Sequence, residues 1–244
     1  LRRIRRLGTL QELGLCGRPT AAALRELPSL AALTGLEEVA LGLDGAAPPA
    51  GWLEHLVELP GLRRLILRDA DLRAGLPATL GGLRLTHLRL IGLAGFSGAG
   101  LEHLADAPLE ELAIDCCDDL TDAGLERLGL FPRLTRLVVR ETWTSDSPDL
   151  AHATAPAGVQ GGPYVNPGVS AAGFAFLARL PALRHLELTA FNPSSLSTAE
   201  ALAHLRGAEA LEVLSLQTWE WLGDEGLAHL AGLTRLTRLD LDDV

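Results

Sequence analysis

The pattern L-x-x-L-x-L, with Val or Ile replacing some later leucines, recurs along nearly the whole chain, and no other feature constrains the fold as strongly. Its instances begin at Leu10, Leu36, Leu62, Leu85, Leu109, Leu134, Leu183, Leu211 and Leu236. Seven of the eight steps lie between 23 and 28 residues, and one, Leu134 to Leu183, is 49. A unit this short cannot bury its apolar face alone. Repeated at a near-fixed period, it buries that face against its neighbours, which predicts a stacked, elongated architecture. With 48% hydrophobic residues among 244, the chain has ample material for such a core.

Each unit divides into a strand, a turn, a helical segment and a return. In Leu109–Ile114 the alternation reads as a short strand with Leu112 and Ile114 facing inward. A turn spans Asp115 to Leu120, and the leucines of Thr121–Leu128 then sit at helical spacing, with Thr121 placed to cap the helix. Ser197-Thr-Ala-Glu200 has the S-x-x-E form of a capping box.

The segments LEELAIDCCDDLTDAGLERL (Leu109–Leu128) and LEVLSLQTWEWLGDEGLAHL (Leu211–Leu230) resemble leucine-rich repeats, most closely the cysteine-containing and ribonuclease-inhibitor-like subtypes. The resemblance covers about residues 1–141 and 170–244. It implies an α/β solenoid of about nine repeats, a curved horseshoe with parallel strands on the concave face and helices on the convex face, whose ligands meet the concave face or its rims. The whole of 1–244 is expected to form one such domain, with repeats one to six in 1–141, an inserted loop in 142–169, and repeats seven to nine in 170–244.

One departure concerns the ninth position of each unit, where the family favours Asn or Cys. Here it holds Arg18, Asp44, Ala70, Leu93, Cys117, Thr142, Phe191 and Trp219, so only Cys117 conforms and the turns are expected to be held differently. Phe191 and Trp219 should pack inward. The second departure is the lapse between Thr142 and Val169, which contains four prolines, a Gly-Gly pair and the only tyrosine, Tyr164. It reads as an inserted loop, either a binding element or a tolerated surface insertion.

Alternation assigns the third, fifth and seventh positions of each unit to the concave surface. Repeats three, four and six thereby project Arg64, Arg68, Arg89, Arg136 and Arg140, with His87 among them, whereas repeat five projects Glu111 and Asp115. An arginine-bearing centre can orient a partner that carries carboxylates or phosphates. Equally, Glu111 and Asp115 can neutralise Arg136 and Arg140 across adjacent strands, and the two roles can coexist. Trp143 and Trp221 follow strands on the same rim as the insertion and complete the candidate partner-binding set with Tyr164.

Composition narrows the function classes. The net charge of −10 disfavours general nucleic-acid binding, which rests on neutralising phosphates. All 21 basic residues are arginine, and methionine is absent, as expected of a GC-rich and therefore bacterial genome. Three cysteines (Cys16, Cys116, Cys117) form no CxxC, which favours a reducing cytoplasm, and no long uncharged apolar run suggests a membrane span. His55, His103, His204 and His229 fill one recurring slot before a helix leucine, so recurrence explains them better than metal ligation. Cys116 and Cys117 with His152 lack any spacing that indicates a nucleophile, and the Gly-rich Ala94–Gly100 lacks a phosphate-loop lysine. No catalytic residue, metal or cofactor is therefore expected.

These features point to a protein-interaction module that binds a partner with an acidic surface. A sensor arm of a larger signalling, immune-type or effector protein is the first alternative. Leu1 is not a start Met and Val244 closes on a bare strand, so further domains of the same polypeptide are expected under that reading. An enzyme regulator such as a GTPase activator is the second.

Overall fold

The structure is a computed structural model and describes residues 7–15, 17, 27–48, 51–117, 119–140, 169–189, 198–217 and 223–242. Nine strands form one parallel sheet in chain order: β1 (Glu12–Leu15), β2 (Glu38–Ala46), β3 (Arg64–Ala70), β4 (His87–Ile91), β5 (Glu111–Asp115), β6 (Arg136–Arg140), β7 (His185–Thr189), β8 (Val213–Gln217) and β9 (Arg238–Asp242). Every strand starts at the third position of its repeat, and the register aligns equivalent positions: Leu112 lies beside Leu88 on one side and Leu137 on the other. The 49-residue step adds no strand to this order, because β7 pairs directly with β6 and Leu186 continues the same ladder.

The repeated leucines make the core continuous. Leu62, Leu85, Leu109, Leu134, Leu183 and Leu211 at the first position are all buried, as are Leu112 and Ile114. Burying one such side chain contributes about 1.5–3 kcal/mol, so the ladder supplies most of the cohesion between units. Phe96, Phe131, Phe174 and Phe176 fill the far side of the core. At β9 the ladder is less covered, and Leu239 is 42% exposed.

The segments opposite the sheet are shorter than the helical spacing predicts. Only α1 (Asp122–Leu128), α2 (Thr198–Ala203) and α3 (Asp224–Ala228) are α-helical among the described residues; the other connections are mostly 3₁₀ turns such as Glu54–Glu58, Ala78–Gly82 and Leu101–Leu104. Unit length does not decide between the two: the 25-residue units that begin at Leu109 and Leu211 carry α-helices, while units of 23, 24 and 26 residues carry 3₁₀ turns. The cap expected at Thr121 is present: its hydroxyl accepts from Gly124 N–H at 3.2 Å and donates to Ser97 C=O of the preceding unit at 3.1 Å. One hydroxyl thus ends a helix and ties two repeats together. Ser197 of the expected capping box lies outside the described residues.

Glycine sets how closely the units stack. Gly100, at φ 88°, precedes the helical leucine of its repeat, and a Cβ there would run into the Leu76 backbone of the previous one. Only glycine tolerates both that torsion and that approach.

The ninth-position turns are held by different means. Cys117 is buried with its thiol directed at the carbonyls of Leu90 and Asp115, at 3.8 and 3.5 Å. In the second repeat the register shifts between Gly42 and Ala46, so Ala46 rather than Asp44 pairs with Ala70; Asp44 is exposed at φ 50°. Arg18, Thr142, Phe191 and Trp219 lie outside the described residues. So does the insertion apart from its last residue, Val169, which is buried in the core. No helix among the described residues is long and apolar enough to cross a membrane.

Candidate concave binding surface

The strands present three columns of side chains on the face opposite the leucine ladder. Third positions give Glu38, Arg64, His87, Glu111, Arg136 and His185 in consecutive register, fifth positions give Ile66, Arg89, Ala113, Val138 and Glu187, and seventh positions give Arg68, Ile91, Asp115, Arg140 and Thr189. Over β3 to β6 this face holds a depression of about 240 Å³. Four arginines (Arg64, Arg89, Arg136, Arg140), His87 and two glutamates (Glu38, Glu111) line it, with Ile66, Ala113 and Val138 among its apolar lining.

The arginine centre divides into a committed part and an open part. Asp115, expected to project outward, is fully buried. Its two oxygens meet Arg140 Nη1 at 3.0 Å and Arg89 Nη2 at 3.4 Å. Arg140 also donates from Nε to Glu187 Oε1 at 2.7 Å. Arg68 pairs with the adjacent Asp69 at 3.1 Å. Burial pushes the Asp115 carboxyl above its usual range, with Arg140 and then Arg89 opposing that rise. Burial also works against the charge on Arg140, but Glu187 and Asp115 together raise its pKa. These arginines hold the sheet face together, and a partner would have to outcompete internal carboxylates to use Arg140.

Lateral pairing is thus found for Asp115 with Arg140, but not for Glu111 with Arg136. Glu111 lies 3.5 Å from His87 Nε2, and Arg136 Nη1 lies 3.1 Å from both ring nitrogens of His185. The sequence separation hides this last contact, since His185 reaches Arg136 only because β7 docks on β6 across the 49-residue step. Among the described residues Arg136 has no carboxylate partner. The seventh column is also less exposed than alternation predicts. Ile91, Asp115, Arg140 and Thr189 are all buried. Val138 of the fifth column is buried as well, between register neighbours Ala113 and Glu187.

His185 carries a pH consequence. Burial lowers its pKa below 6.5, and the Arg136 guanidinium beside it lowers it further; Arg238 adds to this, while Glu187 and Glu111 oppose it. The folded protein therefore binds a proton at His185 less readily than the unfolded chain. From this group, stability is complete above pH 6.5 and is lost as pH falls through that value toward the lower folded pKa. His185→Gln, which keeps an acceptor for Arg136 but takes up no proton, is expected to lose less stability than wild type between neutral pH and pH about 5. Urea midpoints across that range check it; parallel curves for the two proteins would contradict it.

Of the residues singled out in the sequence, Arg64, His87, Arg89, Arg136 and Arg140 converge on the depression, and Arg68 stands at its side in the third repeat. Trp143, Tyr164 and Trp221 lie outside the described residues. Glu187 and His185 complete the network although neither was singled out. Their signal was available in the columns of outward positions, once repeat seven is placed next to repeat six. Among the described residues no group of three or more His, Cys, Asp or Glu is arranged to hold a metal ion.

This architecture, one parallel sheet with repeats stacked in chain order, is the leucine-rich-repeat solenoid, and the solved structures it resembles are leucine-rich-repeat proteins. The TLR13–ssRNA13 complex aligns over 98% of this chain and 36% of its own, at TM-score 0.56 and 19% identity. Internalin C2 from Listeria monocytogenes aligns over 87% of this chain and 74% of its own, at TM-score 0.53 and 16% identity. The chain thus spans about a third of the length of the first of these. At such identities the likeness concerns the fold. No protein-family model matches the chain, and no curated protein matches it.

Proposed function

We propose that this protein is a non-enzymatic recognition module that binds another protein through the concave sheet face, centred on β3 to β6. The single observation that carries this reading is the depression there, where Arg64, Arg89 and Arg136 surround an apolar patch in a chain of net charge −10. Local cationic character on an acidic protein orients a partner of opposite local charge without attracting polyanions in general. A surface that combines apolar contact with a few well-placed guanidinium groups has the composition of an interaction hot spot. The rim residues Trp143, Tyr164 and Trp221 and the 142–169 insertion belong to the same proposal as flanking contacts. Bacterial origin and a cytoplasmic location are part of it as well, on the arginine-only composition and the scarcity of cysteine.

A role as the sensor arm of a larger protein is compatible with the same surface, and the partner would then be met in the context of further domains. The RNA in the TLR13 complex suggests a different ligand class. Here Glu38 and Glu111 in the depression and Glu187 on β7 stand against an extended polyanion.

A photo-crosslinking residue placed at Ala40 or Val213, on the sheet face to either side of the depression, is expected to trap the partner from a lysate of the source cell. The same residue at the exposed Glu58, in the 3₁₀ turn opposite the sheet, is expected to trap nothing specific.

A further inference from the structure

We infer that the depression over β3 to β6 receives a carboxylate side chain from an acidic segment of the partner protein, with an apolar neighbour of that carboxylate seated on Ile66 and Ala113. This rests on the concave-face reading above and adds the chemistry of the ligand.

The donors are in place and incompletely used. Arg136, half-buried, has a neutral histidine as its hydrogen-bond partner rather than a carboxylate. Arg89 Nε is buried with no hydrogen-bond acceptor. Arg64 Nε lies 2.9 Å from Glu38 Oε2 but out of hydrogen-bond alignment, and its side chain remains 40% exposed. An incoming carboxylate would reach the exposed part of Arg64 and the half-buried Arg136 with charge-assisted bonds, the stronger kind. Each carboxylate nearby already has a partner: Asp115 is held by Arg89 Nη2 and Arg140, Glu187 by Arg140, Glu38 lies against Arg64, and Glu111 lies 3.5 Å from His87 Nε2, which leaves Arg136 without one among the described residues.

Size and surroundings favour a peptide carboxylate over a chain of phosphates. A volume of about 240 Å³ suits one or two side chains. The cationic stretch covers four strands, about 14 Å at ~4.8 Å per step. Glu38 stands at its edge and Glu111 within it, and Glu187 follows on β7. A single-stranded RNA long enough to cross the face would meet these carboxylates. An acidic residue flanked by apolar ones places its charge only at the centre. The apolar patch gives that neighbour a contact that a ribose-phosphate backbone does not need.

The test is to select short random peptides displayed on phage against the whole chain, resynthesise the enriched sequences, and measure their binding by calorimetry at low and physiological salt. Enriched peptides are expected to carry Asp or Glu beside an apolar residue. Binding should weaken about tenfold or more in Arg136→Glu and in Arg64→Glu. Arg136→Gln, which adds no repulsion, should lose less, and Arg133→Glu, at an exposed position outside the depression, should bind as wild type does. Circular dichroism of each variant separates lost binding from lost fold. Selection of nothing, or of peptides without acidic residues, overturns the inference. If such non-acidic peptides still crosslink at Ala40 or Val213, the concave-face reading survives it; if they crosslink only at Glu58, both fail. A fluorescein-labelled oligouridylate is expected to bind more weakly than the peptides. Tighter binding by the oligonucleotide, lost in the Arg136 and Arg64 variants, would overturn the carboxylate in favour of RNA.

Discussion

Asp115→Ala is expected to lower the unfolding free energy by about 3–5 kcal/mol, the range for breaking a buried ion pair by removing one partner. Asp115 is fully buried, and its oxygens are held by Arg140 and Arg89 from the strands on either side. Its raised pKa shows that burial, not attraction, is the largest influence on it. The carboxylate is tolerable only because two guanidinium groups answer it, and they in turn depend on it. Without it, Arg140, whose side chain is 8% exposed, keeps Glu187 alone, and Arg89 loses its only ion-pair partner among the described residues. The damage should centre on β4 to β7, so hydrogen exchange there should accelerate more than at β2. A urea midpoint within error of wild type would mean that both arginines reach water once Asp115 is gone.

Gly100→Val is expected to destabilise by about 2–5 kcal/mol, combining a strained left-handed torsion with overpacking. The valine would need φ near 88°, and its Cβ would collide with the backbone of Leu76 one repeat earlier. Flexible side chains can move aside, but a backbone that carries the next turn of the stack cannot. Gly100→Ala, which adds the Cβ without the branched methyls, should be destabilised in the same direction by less. Thermal melts followed by circular dichroism check both; equal melting temperatures for Gly100→Val and wild type would show that the turn spacing is not set by this glycine.

Much of the scaffold is legible in the sequence because it depends on residues close together in the chain. The nine strands start where the leucine pattern places them, and Thr121 caps the helix its spacing suggests. The 3₁₀ turns were less legible, since a single turn carries too few residues to separate a period of 3.0 from one of 3.6. The candidate surface was legible as columns but not as pairs. Whether Arg136 meets Glu111 or His185 depends on which neighbouring strand its side chain leans toward, and the register alone allows both. The burial of Asp115 likewise depends on side chains 25 and 26 residues away.

That division changes which arginines should be tested. Reversing Arg68 and Arg140 would attack internal ion pairs and confuse stability with recognition, and reversing Arg64 would break its contact with Glu38, whereas Arg136 faces the depression with no carboxylate partner among the described residues.

The most direct measurement is a crosslinking map of the partner-bound protein. Photo-reactive residues at Ala40, Val213 and Glu58 would be compared in the wild-type background and in one carrying Arg64→Glu and Arg136→Glu. Specific adducts from Ala40 and Val213 that diminish in the charge-reversed background are expected. Adducts from Glu58 alone, unaffected by the reversals, would contradict a concave recognition surface.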